Sequence, residues 1–221
     1  MAWAMREPGS FGAFFPNGDL EEWEDRLKRR FDEMSPSEKA QYGGDAPGYL
    51  YHVAQKFRSG RGMLEDEEKP AELKTDRTYK DLGDLMMVVD GLLVVSEAFK
   101  DVVDAMEPGV HQFWPMRFVA PWGKPYDDTL FGMVIGARLN SFSETDSDPA
   151  SFRMTDGYPL AEYSNPKKVS GLALSRSEIG GRHLWRESRL YGLDIFFSED
   201  LVAKLTERKM KLPKMFQVRE V

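Results

Sequence analysis

The chain has no cysteine, which excludes disulfides, a thiol nucleophile and any cysteine-ligated metal. That absence suits the cytoplasm. Its histidines are His52, His111 and His183, too widely separated for a local metal motif, and neither a His-Glu-x-x-His pattern nor a paired-carboxylate spacing stands out. No apolar run approaches the roughly 18 residues needed to cross a bilayer. The stretch from Met1 to Phe15 lacks the basic segment and continuous hydrophobic run of an export signal. Gly43-Gly44 and Gly180-Gly181 do not precede Lys-Ser or Lys-Thr, so they read as turns rather than phosphate cradles. What remains is a chain of 221 residues with 41% apolar content, enough to bury a substantial core.

Charge is unevenly distributed. Residues 1–110 carry 23 acidic and 14 basic side chains, net −9, whereas residues 111–221 carry 14 and 16, net +2. An acidic half disfavours nucleic acid and favours a basic partner, because the summed field steers association. The sharpest cluster is Glu65-Asp66-Glu67-Glu68. It reads either as a solvated loop, the common fate of charge runs, or as a patch that occupies a cationic groove on another protein.

One pattern is written twice, 102 residues apart. Gly91-Leu92-Leu93-Val94-Val95-Ser96-Glu97 returns as Gly192-Leu193-Asp194-Ile195-Phe196-Phe197-Ser198-Glu199, and the same offset pairs Phe99 with Leu201, Val103 with Leu205, Trp114 with Phe216 and Met116 with Val218. Each copy reads as strand, helix, strand. The apolar runs suit strands covered on both faces. Ser96 and Ser198 are placed to cap the helices that follow, with Glu97 and Glu199 at the positive end of the helix dipole. Phe99, Val102, Val103 and Met106 make one apolar stripe, and Pro108-Gly109 ends it. Two copies are too few for a solenoid.

The N-terminal third reads as helices joined by loops. Asp19 to Met34 carries a narrow stripe of Leu20, Trp23, Leu27 and Phe31, and Ser35-Pro36-Ser37-Glu38 fits a capping box. Gly48 to Ala54 is either helix or strand. Arg58 to Thr78 is polar and reads as a connector. Beyond the first copy, Thr129 to Phe142 suggests one long strand bent at Gly132 and Gly136, Ser143 to Pro149 a loop, and Val169 to Leu174 a further strand. Pro115 argues for an edge or a bulge. The expected architecture is α+β: a mixed sheet holding two repeated strand-helix-strand units, with a helical N-terminal region. The expected division is a helical and loop region over residues 1–80 and a core domain over 81–221.

His111 and His183 read as satisfied structural histidines. Asp127-Asp128 and the run from Glu144 to Asp148 read as loops, the latter lacking the glycine and terminal glutamate of a calcium loop. Trp114, Trp185, Phe113 and Phe216 fall in expected strands and read as core. Trp122, in Pro121-Trp122-Gly123-Lys124-Pro125-Tyr126, falls in a loop. There it either folds back onto the domain or anchors an interface.

The string from Leu93 to Val102, followed by Glu107-Pro108-Gly109-Val110-His111-Gln112-Phe113-Trp114-Pro115, resembles the signature of the immunity protein eleven family of bacterial polymorphic toxin systems. Ile179-Gly180-Gly181-Arg182-His183-Leu184-Trp185-Arg186 and Phe197-Ser198-Glu199-Asp200-Leu201 are similar to its closing section, so the resemblance covers about residues 80–221. It implies a binder that neutralises a cognate toxin, with no catalytic residues and no cofactor. A cytoplasmic protein meets a toxin acting in the cytoplasm, and a nuclease presents a cationic cleft that an acidic surface fills. The expected partner is encoded by a neighbouring gene and bound one-to-one or two-to-two, the latter through a homodimer, with neither nucleic acid nor membrane engaged. Glu65, Asp66, Glu67, Glu68 and Trp122 are the expected contact residues. Two other readings stay open: a protein-binding adaptor unrelated to toxin defence, and a hydrolase whose catalytic groups are dispersed along the chain.

Overall fold

The computed structural model describes the chain apart from Leu193 and the side chain of Glu21. The place of Leu193 in the second repeat therefore lies outside the described residues. In order, the elements are β1 (Ala2–Met5), β2 (Gly18–Asp19), α1 (Glu21–Glu33), α2 (Pro36–Ala40), α3 (Ala46–Ser59), β3 (Glu72–Thr75), β4 (Leu85–Met87), β5 (Leu93–Ser96), α4 (Glu97–Met106), β6 (Gln112–Val119) and β7 (Leu130–Val134). They continue with β8 (Arg138–Leu139), β9 (Phe152–Thr155), β10 (Tyr158–Ala161), α5 (Pro166–Val169), β11 (Ala173–Leu174), α6 (Arg176–Ile179), β12 (Leu184–Glu187), β13 (Ile195–Ser198), α7 (Glu199–Glu207) and β14 (Met215–Glu220). The fold is α+β, with both strand-helix-strand copies present as β5-α4-β6 and β13-α7-β14. No described helix is long and apolar enough to cross a membrane.

The chain forms two compact units. The helical unit comprises Ser10–Lys100 and Gln112–Val134; the terminal unit comprises Met1–Gly9, Asp101–His111 and Ile135–Val221. In the helical unit a six-stranded sheet runs in the order β2-β3-β6-β7-β5-β4. Trp23, Leu27 and Phe31 of α1 and Tyr49, Val53 and Phe57 of α3 join Met86, Val94, Trp114, Met116 and Phe118 of the sheet in one buried cluster. Fully burying such a side chain is worth about 1.5–3 kcal/mol, so these two stripes hold both helices on the sheet, although the other face of α1 is heavily charged. Caps decide the ambiguous segment after Gly44 in favour of helix. The Asp45 side chain accepts from the Gly48 amide at 2.7 Å, Pro47 lies in the first turn, and Gly60 closes the helix at φ 63°. The capping box of α2 also forms, with the Ser35 amide donating to Glu38 at 2.8 Å.

In the terminal unit the six-stranded sheet runs β11-β14-β1-β13-β12-β8, and β9 pairs with β10 as a separate hairpin. Its core gathers Ala4, Phe142, Leu174, Trp185, Phe196 and Phe216.

The repeat extends well beyond the copied sequence. β3-β6-β7-β5-β4 in one sheet and β11-β14-β1-β13-β12 in the other share strand order, direction and register. The row Val94-Gly132-Trp114 corresponds to Phe196-Ala4-Phe216, and Ser96-Leu130-Met116 to Ser198-Ala2-Val218. The middle strand comes from after the copy in one sheet, β7, and from the other end of the sequence in the other, β1. Each middle strand carries a small residue at the matched position, the glycine of β7 and one of the two alanines of β1. Gly132 lies so close to the Trp114 indole that an added Cβ would stand 2.3 Å from it, and Ala4 occupies the same place opposite Phe216.

Several local expectations are corrected. Thr129 to Phe142 is not one bent strand: β7 ends at Val134 and β8 pairs with β12 in the other sheet. Val169 to Leu174 is strand only over Ala173–Leu174, because Asn165 caps the short helix α5 with Pro166 in its first turn. The polar connector contains β3, whose Leu73 is wholly buried, and Ala2–Met5 adds a strand, β1, that no pattern in the sequence marks. Pro115 stands in an inner strand, yet its nitrogen falls on the β3 side before the ladder begins with the Arg117 amide donating to Ala71 at 2.8 Å. The missing N–H therefore leaves no carbonyl unpaired in mid-sheet.

Candidate functional site

The acidic run closes on itself. Asp66–Glu68 form one 3-10 turn, and Glu65 and Glu68 satisfy each other in a reciprocal cap, the Glu65 amide donating to the Glu68 carboxylate at 2.9 Å. Glu68 is buried and holds Lys56 Nζ at 2.6 and 2.7 Å, while its backbone carbonyl accepts from the Trp23 indole at 2.6 Å. It is an internal post rather than surface. The others remain outside: Arg30 bridges Glu65 at 2.5 Å and Glu67 at 3.1 Å, and Lys69 meets the exposed Asp66 at 2.5 Å. Lys69 holds the Asp66 carboxyl below the usual carboxylate range, and Glu67 is held down by its own amide and by Arg30.

These pairings change the character of the patch. Arg26, Arg29, Arg30, Glu33, Glu65 and Glu67 line a shallow groove of about 650 Å3. Its floor is a mixed-charge cluster, with the Arg26 guanidinium fixed on the carbonyls of Glu67 and Lys69 at 3.2 and 2.5 Å. Exposed pairs of this kind gain little stability individually. Their geometry holds the Glu65 and Glu67 carboxylates in place beside Arg30.

Trp122 is fully exposed, at 103% relative accessibility, and lies in the connection between β6 and β7. The Gly123 amide donates to Ala120 at 3.2 Å and the Ala120 amide to Lys124 at 2.7 Å. Pro121 and Trp122 thus occupy the two central positions of a tight turn. At φ 73°, ψ 12°, Trp122 has the second central conformation of a type II turn, a place normally given to glycine. Below the turn, Tyr126 locks the base. Its hydroxyl lies 3.3 Å from Thr75 Oγ1 and accepts from the Tyr79 amide at 2.8 Å, and its ring sits edge-on to Phe118.

Glu107 and His111 belong to the terminal unit and are both buried. Glu107 Oε2 meets His111 Nε2 at 3.0 Å and accepts from the Leu184 amide at 2.8 Å, and His111 Nδ1 accepts from the Gly136 amide at 3.3 Å. Those contacts assign the ring proton to Nε2 and give the Glu-Pro-Gly-Val-His string a structural task. His183 is likewise satisfied, by Ser198 Oγ at 2.8 Å. Trp114, Trp185 and Phe216 are core, and Phe113 is partly buried.

One exposed aromatic group escaped the sequence reading. In the terminal unit Tyr158, at the start of β10, and Tyr191, which follows β12 and bridges to Leu160 of β10, stack edge-to-face at 5.3 Å, both more than half exposed. The signal was Asp156-Gly157, a hairpin dipeptide, here at φ 51° and 82°.

Among the described residues no group of His, Asp and Glu is arranged to hold a metal ion. No curated protein matches the chain. The model of the immunity protein family Imm11 matches residues 18–216, taking in the N-terminal helices, the first copy of the repeat and the second as far as the start of β14. The two serine caps and the Glu107-His111 pair thus lie within one family's boundaries, and this chain belongs to the Imm11 immunity protein family.

Proposed function

We propose that this protein binds a cognate toxin of a polymorphic toxin system in the cytoplasm and neutralises it without catalysis, the toxin being a nuclease encoded by a neighbouring gene. Family membership across residues 18–216 carries the immunity part. Charge supports the nuclease part. The helical unit has 21 acidic and 15 basic side chains, net −6, and such a surface complements a cleft that evolved to hold phosphates. Glu65, Asp66 and Glu67 supply the local field, with Arg30 keeping two of the three carboxylates in position; Glu68 supports them from within.

The test is coexpression of the neighbouring toxin with and without this protein. Protection of the cells together with a one-to-one or two-to-two complex on size exclusion is the expected result. A toxin that kills equally in both cases overturns the immunity reading. A toxin that is neutralised but cleaves neither DNA nor RNA overturns the nuclease assignment alone.

A further inference from the structure

A tryptophan wholly in water, in a backbone conformation that favours glycine, is unfavourable twice over. Its apolar surface is unburied, and a non-glycine residue at positive φ is strained. The next residue is Gly123, itself at φ 80°, so the turn has a residue free of that penalty immediately beside the one that bears it. The sheet does not need this turn. In the terminal unit the strands matched to β6 and β7 are β14 and β1, which pair in the same register although they come from opposite ends of the sequence and share no hairpin. Nor is the connection loose: Tyr126 fixes its base through Thr75, Tyr79 and Phe118. A rigid, pre-formed projection with an aromatic tip loses little conformational freedom on docking. Lys124, Asp127 and Asp128 are exposed around it.

We propose that the Pro121-Trp122 turn is the docking anchor of this protein, inserting the indole into an apolar pocket on the toxin whose rim carries basic side chains facing Asp127 and Asp128. The proposal rests on the immunity reading and specifies the contact. It makes Trp122 a residue kept against the interest of the fold, which separates a binding role from a structural one. Trp122→Gly relieves the strain and removes the anchor; Trp122→Phe keeps an aromatic ring at the tip.

The experiment measures thermal melts of the full-length variants and their dissociation from the purified neighbouring toxin. Trp122→Gly is expected to melt at or above the wild-type temperature while dissociating at least about 30-fold faster, as hot-spot anchors do. Trp122→Phe should fall between, and Asp127→Lys with Asp128→Lys should slow association and weaken its salt dependence. Wild-type dissociation kinetics in Trp122→Gly overturn the anchor. So does a clear fall in its melting temperature, because the indole would then be serving the fold. Wild-type protein that does not bind the toxin at all overturns the immunity reading instead, and the anchor with it.

Discussion

His111 Nε2 lies 3.0 Å from Glu107 Oε2, with both side chains shut away from water. The two residues flank the Pro108-Gly109 turn that ends α4, where Gly109 takes φ 71°. Through the Leu184 amide, the same carboxylate oxygen ties this turn to the start of β12. Arg182 Nη1 stands 3.6 Å from the other oxygen. The pair therefore joins segments 77 residues apart in sequence.

Acid should weaken this junction. Burial pushes the Glu107 carboxyl up, but the His111 hydrogen bond and the Leu184 amide outweigh it and hold it below the usual range. A carboxyl with a depressed folded-state pKa adds stability that is present above its unfolded value, near 4.5, and lost as pH falls through the folded value. Glu107→Gln should thus cost about 1–3 kcal/mol at neutral pH. Its deficit against wild type in denaturant titrations should shrink below about pH 4.5; a constant deficit down to pH 3 contradicts the linkage.

The matched rows of the two sheets predict a coupling. Gly132→Ala drives a Cβ into the Trp114 indole and should cost about 1–3 kcal/mol. Trp114→Phe loses the indole bond to the Pro70 carbonyl at 2.7 Å and should cost about 1 kcal/mol or more. Together they reproduce the alanine-phenylalanine pairing of Ala4 and Phe216. The double mutant should be more stable than the sum of the two by about 1 kcal/mol, measured by a double-mutant cycle in urea; strict additivity counts against equivalence of the rows.

Ser96 and Ser198 should prove interchangeable in role. Each hydroxyl accepts from the amide three residues on, at 3.2 and 3.1 Å, and each also bonds the residue preceding the neighbouring strand, Asp84 or His183. Alanine at either position should cost about 1 kcal/mol. Melts indistinguishable from wild type remove the capping argument.

Within the acidic run, stability and association should separate. Glu68→Gln strips Lys56 of its partner in a largely closed site and should cost about 2–3 kcal/mol, toward the lower end for a broken buried pair because Lys56 keeps some access to water. Glu65→Gln with Glu67→Gln should change stability by less than about 1 kcal/mol while slowing association with the toxin. Equal destabilisation by both sets refutes the division.

What the sequence determined by itself was whatever depends on near neighbours. Ser96 and Ser198 cap their helices because a hydroxyl three residues from an amide needs nothing else. The stripe of Trp23, Leu27 and Phe31 required a core-facing helix in any fold, and the doubled apolar runs required two buried strands. The match of Leu93–Ser96 with Ile195–Ser198 was visible for the same reason: it lies in consecutive residues. Asp156-Gly157 is equally local, a hairpin dipeptide that turns β9 into β10.

Tertiary structure alone decided which distant residues complete these pieces. The strand between β13 and β14 is drawn from Ala2–Met5, and no periodicity along the chain announces that, since pairing depends on register and not on proximity in sequence. Thr129 to Phe142 is divided between two sheets because Leu130–Val134 fills the gap between β5 and β6 while Arg138–Leu139 extends β12. The four acids from Glu65 to Glu68 look alike in the sequence. They part company in the fold because Lys56 and Arg30, one turning inward and one along the surface, reach different members of the run. Trp122 and Trp114 are likewise the same residue eight positions apart; a glycine opposite one makes room to bury it, and a turn at the end of a strand leaves the other in water.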